Sequence, residues 1–200
     1  MNSIPSVRLL LSALLVGTSA ACATLQQFAA LRQVEFAIDD VEEGELAGVD
    51  LGRIRDADDF SVVDASRVAQ AVAAGELPLS FTVNVRAENP PDNRTTARMV
   101  RFAWTLLLND RETIDGVLDR EVVMPPGEPR IIPLAMRLDL VEFFDGSASE
   151  LLNIALRAAG ADADPTEVKL RASPTVETPL GPIDYPTEIV VVSGNGSGSD

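Results

Sequence analysis

Hydrophobic and polar residues alternate strictly along the chain from Leu79 to Glu88. The apolar set is Leu79, Phe81, Val83, Val85 and Ala87, and polar residues occupy the positions between them. A period of two with one polar face indicates a half-buried strand of an antiparallel sheet. The segment 89–93, Asn-Pro-Pro-Asp-Asn, ends this strand, because proline has no backbone N–H and Asn and Asp close turns readily.

The same alternation returns twice further along the chain. Its apolar members are Val100, Phe102, Trp104, Leu106 and Leu108 in one segment and Ile132, Leu134, Met136, Leu138 and Leu140 in the other. The pattern predicts additional strands at 33–41, 167–176 and 183–192, with proline- and glycine-rich turns at 125–129 and 178–182. Several strands divided by turns at short intervals predict a mainly β fold, either an antiparallel sandwich or a barrel.

Two short helices are expected between the strands. Asp64 is predicted to cap a helix over Ala65–Ala74 that Gly75 ends, and Ser147 or Ser149 to cap a second helix that ends near residue 159. Their apolar stripes are Val68, Ala69 and Val72 in the first helix and Leu151, Leu152 and Ala155 in the second. Such stripes usually cover a core, so both helices are expected to pack on the sheets.

The first 21 residues have the pattern of a signal peptide. Arg8 supplies the positive charge, Leu9–Val16 supplies an apolar run too short to span a bilayer, and small residues from Ser19 precede Cys22. This ending resembles the lipobox of bacterial lipoproteins, although Ser19 stands where that motif usually has a larger aliphatic residue. The resemblance implies that Cys22 is the lipidation site and carries acyl chains, including palmitate-like ones. The alternative is ordinary secretion with Cys22 as a free thiol, which is a liability in an oxidising compartment.

The N-terminus also suggests a location and domain boundaries. Ala23 follows the cysteine, and by resemblance to lipoprotein sorting this favours the outer membrane, facing the periplasm of the bacterial cell envelope. The expected organisation is a signal peptide over 1–21, a lipid-anchored segment over 22–32, a β domain over 33–193 and a flexible tail over 194–200.

Composition narrows the possible chemistry. The formal net charge is −15, and removal of residues 1–21 with Arg8 makes it −16, so a nucleic acid or a peripheral lipid surface is not expected to be the main partner. The chain contains no His and one Cys, which excludes the Ser-His-Asp triad and the Cys-His dyad. We therefore expect no catalytic residues, no cofactor and a non-enzymatic protein. A carboxylate-dependent hydrolase stays the least favoured alternative.

Three acidic clusters and one group of arginines are candidate binding sites. The acidic clusters at 39–43, 56–59 and 162–164 lack the spacing of a calcium-binding EF-hand loop, so we expect no metal site and interpret them as solvated loop charge. Arg86, Arg94, Arg98 and Arg101 lie close in sequence and are suited to bind an anion. With so many carboxylates in the chain, ordinary surface ion pairs are the stronger expectation for them.

Several short motifs resemble the late embryogenesis abundant (LEA) type 2 family, also described as the water-stress and hypersensitive-response (WHy) domain. They are a strand running into Asn89-Pro90, a second strand followed by Gly116, the sequence Ile-Ile-Pro-Leu at 131–134, and Thr-Pro-Leu-Gly at 178–181 with Tyr185-Pro186. The family's Asn-Pro-Asn reads Asn-Pro-Pro here, and the helical stretch near 56–75 is an insertion. The structural motif residues are then Asn89, Pro90, Gly116, Pro179 and Gly181.

The resemblance implies a fibronectin- or immunoglobulin-like antiparallel β-sandwich with no catalytic centre. It also implies a role in stress, above all desiccation, by protecting protein clients or by binding proteins or apolar ligands. The alternative is a structural or assembly lipoprotein that docks one specific partner in the envelope. Fold alone does not decide between these functions.

Overall fold

The computed structural model describes residues 26, 29–54, 59–108, 110–143, 168–177 and 181–192. Eleven strands are present among these residues: β1 Glu35–Leu46, β2 Val49–Asp50, β3 Pro78–Glu88, β4 Ala97–Met99, β5 Arg101–Leu108, β6 Arg111–Leu118, β7 Val122–Met124, β8 Arg130–Asp139, β9 Val168–Val176, β10 Ile183–Asp184 and β11 Ile189–Val192. The helices are α1 Val62–Ala74 and α2 Leu140–Phe143, and a 3-10 turn covers Leu51–Arg53.

The strands form two main antiparallel sheets. The first has the order β2-β1-β3-β8, and the second has the order β10-β9-β5-β6 with β11 also paired to β9. A small ladder of β4 and β7 completes the fold. The mainly β, antiparallel architecture agrees with the predicted sandwich.

One hydrophobic core joins the sheets. The apolar faces predicted from the alternation are buried: Leu79 through Ala87 in β3, Phe102 through Leu108 in β5 and Ile132 through Leu140 around β8. The rings of Phe36 in β1 and Phe102 in β5 stack with centroids 6.0 Å apart. This contact links the two sheets directly. Ala30 and Leu31, in a helical turn before β1, are also buried in the core.

The helix α1 begins earlier than predicted. Ser61 is its N-cap, and Asp64 is the third helical residue, whose side chain returns a hydrogen bond to the Ser61 backbone. This reciprocal pair is a capping box, so the prediction that Asp64 caps the helix was wrong. Gly75 ends the helix in the left-handed conformation, as predicted. Val68 faces the core, whereas Ala69 is exposed.

The second predicted helix, near 147–159, and the predicted tail over 194–200 lie outside the described residues. The predicted strand at 183–192 is two strands, β10 and β11, separated at 185–188. The break lies opposite Ser173 and Pro174 of β9. Pro174 has no N–H to donate to a partner strand, although its carbonyl still accepts from the Tyr185 N–H at 2.8 Å.

The strand β1 extends beyond its predicted end at Val41 and includes the acidic cluster at 39–43. The interpretation of that cluster as loop charge was therefore wrong, because these residues pair with β3. Two bulges interrupt the pairing, one between Ile38 and Asp40 and one between Glu42 and Glu45. The strands β6 and β7 were not predicted, and the short α2 follows β8 directly.

Candidate functional site

Two asparagines form a buried node at the end of the sandwich where the chain enters it. Asn89 is fully buried, and its Nδ2 donates to the Met124 carbonyl at 2.7 Å and the Thr95 carbonyl at 3.2 Å. Asn93 is also buried, and its Nδ2 donates to Asn89 Oδ1 at 2.7 Å and to the Ala30 carbonyl at 3.0 Å.

This Asn89–Asn93 node joins three chain segments that are distant in sequence. They are the N-terminal helical turn, the loop after β3 and the end of β7. The Asn89 carbonyl also accepts from the Gly127 N–H at 2.7 Å, and Gly127 has a left-handed φ of 73°. Both donors and acceptors of a buried amide are satisfied here, which is the condition for burying it without a large loss of stability. The motif residue Asn89 therefore holds the framework together, and Pro90 accepts the turn-closing hydrogen bond from the Asn93 N–H.

Gly116, another residue of the family-like pattern, lies opposite Trp104 in the β5–β6 pairing. A Cβ at Gly116 would lie 2.3 Å from Trp104 Cζ2, so the indole ring covers the glycine backbone. Trp104 is 8% exposed. It is a core residue, as its position in the alternating apolar set of β5 indicates. Of the remaining motif residues, Gly181 has a left-handed φ of 107°, and Pro179 lies outside the described residues.

Cys22, the predicted lipidation site, and the signal-like segment 1–21 also lie outside the described residues. No helix within the described ranges is long and apolar enough to cross a bilayer.

An acidic row covers the outer face of β1. Asp40 Oδ1 and Glu42 Oε1 both accept hydrogen bonds from Asn84 Nδ2, at 2.7 and 2.8 Å. Glu43 Oε2 accepts from the Thr82 hydroxyl at 3.0 Å. Strict alternation would place Glu43 on the inner face. The bulge, with φ of 57° at Glu43, turns its side chain to the outer face instead.

The acidic row does not form a metal centre. Across the described ranges, no group of three or more His, Cys, Asp or Glu side chains is arranged to hold a metal ion. Asn84 is buried although it lies on the outer face, because the two carboxylates fold over its amide. The row is thus a set of like charges held in place by amide and hydroxyl donors.

A second polar centre lies at the start of α1. Asp64 is 3% exposed, and its Oδ2 accepts from the Ser61 hydroxyl at 2.6 Å and lies 2.8 Å from Arg53 Nη2. The Ser61 hydroxyl and then the Arg53 guanidinium lower the pKa of Asp64 below its ordinary value. The carboxylate therefore stays ionised and fixes the 3-10 turn to the helix, which is a structural role.

The chain also forms two open concavities that share Glu76, Pro78 and Arg137. The first, about 360 Å³, lies between the end of α1 and the β1–β2 turn, and the second, about 430 Å³, extends past β6 to Phe143. Arg137 is exposed and makes no ion pair with any described residue. Asp139 is already engaged, because its Oδ1 accepts from the backbone N–H groups of Leu77 and Val141. Both concavities are open to solvent, unlike the enclosed apolar pockets that bind most small ligands.

The expected surface ion pairs are present for three of the four clustered arginines. Arg86 pairs with Glu88, Arg98 with Glu121 and Arg101 with Asp119, at 3.1 to 3.4 Å. Arg94 is exposed and pairs with no described residue. The four arginines therefore do not converge on one anion site.

Comparisons with known proteins place the chain near two solved structures. A crystal structure of a protein from Archaeoglobus fulgidus has 14% identity and a TM-score of 0.33, covering 58% of this chain and 82% of that one. A solution structure described as an LEA protein has 13% identity and a TM-score of 0.37, covering 90% of this chain and 84% of that one. No protein-family model and no curated protein matches the chain. At these identities and TM-scores, neither likeness shows a family for this chain.

Proposed function

We propose that this chain is a lipid-anchored, non-catalytic envelope protein that protects neighbouring proteins during water loss. The anchor is Cys22, placed behind a signal-like segment and small residues. The protective part is the β-sandwich with its acidic outer face. The motifs that resemble the LEA type 2 family support the stress-related role.

The observation that carries the non-catalytic proposal is the use made of the buried polar residues. Within the part of the chain that the structure describes, they are Asp64, Asn84, Asn89, Asn93 and Thr175. Each is engaged in the framework: Asp64 in a capping box, Asn84 with two carboxylates, Asn89 and Asn93 in the node, and Thr175 with Asp184 at 2.6 Å. A general acid or base needs a titratable group poised toward a reacting substrate. These groups are instead committed to holding strands, loops and a helix.

Protection is proposed to depend on the acidic row at Asp40, Glu42 and Glu43. Closely spaced carboxylates are strongly hydrated and repel other anionic surfaces. Client proteins that lose water should therefore stay apart when the acidic row of this domain lies between them. The effect should weaken as salt screens the charges, over about 8 Å at physiological ionic strength.

The anchor is tested by replacing Cys22 with Ser in cells fed a clickable fatty acid. The wild-type protein should be labelled and retained in membranes, and the Cys22→Ser protein should be neither. Ser19→Ala is the matched control, since it changes a neighbouring small residue and keeps the cysteine. Labelling of the Cys22→Ser protein would show that the acyl chains are attached elsewhere.

Protection is tested by drying a client enzyme with the chain starting at Ala23, after its cooperative unfolding has been verified. The variant Asp40→Asn/Glu42→Gln/Glu43→Gln should protect less than the wild type. The matched variant Glu76→Gln/Asp115→Asn/Glu142→Gln removes the same charge from the concavities and should protect nearly as well. Equal loss in both variants would mean that net charge alone protects, and would refute the role of the row.

A second function is favoured by a separate observation. Val62 and Val63, in the first turn of α1, are 88% and 60% exposed. Exposed aliphatic residues next to each other mark contact sites more often than isolated ones do. The alternative is therefore a structural lipoprotein that docks one envelope partner through this turn. Co-purification of one stoichiometric partner that is lost in Val62→Ser/Val63→Ser would favour it over general protection.

A further inference from the structure

The chain enters the sandwich at one defined end. Residues 29–34, the loop at 89–96 and the turn at 125–129 meet there, and we name this region the entry end. Asn93 Nδ2 holds the Ala30 carbonyl at 3.0 Å, and Ala30 and Leu31 are each 1% exposed. The N-terminal turn is therefore fixed to the entry end and does not hang free from it.

The tether between the anchor and this fixed point is short. Six residues lie between Cys22 and Ala29, and the seven Cα–Cα steps that join the two reach about 25 Å when fully extended. The strand β3 runs from Pro78 at the opposite end to Glu88 at the entry end, and its 11 residues span about 33 Å. A chain anchored at Cys22 thus cannot stand upright on its opposite end, because the tether is shorter than the domain.

Charge is distributed in the same direction. The segments 29–35, 86–96 and 125–130 at the entry end carry four basic residues, Arg32, Arg86, Arg94 and Arg130, and four acidic ones, Glu35, Glu88, Asp92 and Glu128. The segments 45–53, 59–76 and 137–142 at the opposite end carry seven acidic residues and three basic ones. Among these described segments the entry end is neutral, and the opposite end has a net charge of −4.

Two cations at the entry end are available for a ligand. Arg86 pairs with Glu88, and Arg130 pairs with Glu128. Arg32 and Arg94 are exposed and form no ion pair with any described residue. They also lie close together in the fold, because Arg32 is two residues from Ala30 and Arg94 follows Asn93, the two residues joined by the hydrogen bond of the node.

We propose that the entry end faces the membrane and that Arg32 and Arg94 contact the anionic headgroups of phospholipids. This inference rests on the proposed anchoring at Cys22. The overall negative charge opposes binding to an anionic surface from solution, but the tether already holds the domain there. Repulsion of the acidic opposite end then orients the domain, and the two arginines fix the orientation. Each basic side chain near an anionic surface raises the ratio of domains that contact the surface to domains that do not by roughly five-fold.

The test uses the mature chain from Cys22, coupled through its single cysteine to maleimide-bearing lipid in vesicles. Hydrogen–deuterium exchange is followed by mass spectrometry in peptides covering 89–96 and, at the opposite end, 45–53. On vesicles of phosphatidylcholine and phosphatidylglycerol at three to one, exchange should slow at 89–96 and stay unchanged at 45–53. On phosphatidylcholine alone, or at high salt, the slowing should largely disappear.

Matched variants assign the effect to the two arginines. Arg94→Gln should reduce the slowing roughly five-fold, and Arg32→Gln/Arg94→Gln should abolish it. Arg137→Gln removes another exposed arginine, at the opposite end, and should leave the slowing at 89–96 unchanged. Equal protection at both ends, or protection that survives Arg32→Gln/Arg94→Gln, would overturn the proposal. A chain that is not acylated in cells would refute the anchoring function, whereas the coupled chain still reports the orientation independently.

Discussion

Replacement of Gly116 by Ala should destabilise the protein through one contact, that with Trp104. The added Cβ would lie 2.3 Å from Cζ2, 2.7 Å from Cε2 and 2.8 Å from Cη2 of the indole. Carbon atoms in contact prefer separations of about 3.5–4.0 Å. Gly116 does not have a positive φ, so alanine suits its backbone conformation and the effect is steric.

The magnitude follows from two opposing terms. Overpacking of a buried site costs about 1–3 kcal/mol. Replacing glycine with alanine in a strand recovers roughly 0.4–1 kcal/mol, since the unfolded chain becomes less flexible. Contacts of 2.3–2.8 Å place the overpacking cost in the upper part of its range, about 2–3 kcal/mol. The net loss is then about 1–2.6 kcal/mol, which lowers Tm by roughly 2–10 °C for a chain of this size.

A double-mutant cycle measured by urea unfolding separates this contact from general effects. Trp104→Phe removes Cζ2 and Cη2. In that background Gly116→Ala should therefore lower the free energy of unfolding only slightly, or should raise it. Coupling between touching residues is about 0.5–3 kcal/mol. Gly75→Ala is the control: it strains a helix end with φ of 80° and open space around its Cβ, so its cost should not depend on Trp104. An equal cost of Gly116→Ala in both backgrounds would refute the steric argument.

Three further predictions concern the core, the node and the helix cap. Trp104→Ala should lower the free energy of unfolding by about 3–5 kcal/mol in urea titrations. Asn89→Ala should cost about 1–3 kcal/mol, because it leaves the buried Met124 carbonyl without its donor; a change below the error of a urea titration would contradict the role of the node. The lowered pKa of Asp64 contributes stability above the ordinary carboxyl pKa, about 4, and this contribution is lost as pH falls through the lowered pKa of the folded state. The Tm difference between wild type and Asp64→Asn should therefore narrow below about pH 4 in a thermal scan series, and a difference independent of pH would count against it.

The strands with a clean alternation were predictable from the sequence. In β3, β5 and β8 the apolar and polar positions follow a period of two. Burial follows the same period, including Trp104, with the exception of the buried Asn84 in β3. A one-residue shift would turn every apolar side chain outward, so this pattern specifies the register strongly. Burial of one sheet face requires an apolar residue at every second position, and for this reason the sequence pattern predicted these strands correctly.

The strands without that constraint were not predictable. In β6 no residue is fully buried, and the sequence Arg-Glu-Thr-Ile-Asp-Gly-Val-Leu has no strict alternation. This strand lies at the edge of its sheet, paired only with β5, so one neighbour and the Trp104–Gly116 contact define it. The capping box at Ser61 had a signal, an acidic residue three positions later. The intervening Val62 and Val63 obscured it, because β-branched residues favour strands.

The burial of the asparagine node could not be predicted from any local sequence pattern. The segment 89–93 predicts a turn, and a turn is present, but a turn residue is ordinarily exposed. Asn89 and Asn93 are buried because two other segments supply partners: the N-terminal turn with the Ala30 carbonyl, and the end of β7 and its turn with the Met124 carbonyl and the Gly127 N–H. Those partners lie 63 and 35 residues away for the two amide donors. The same node fixes the N-terminal turn that follows the proposed anchor. In the proposed orientation, this node therefore determines which end of the domain faces the membrane, although no local sequence pattern reveals it.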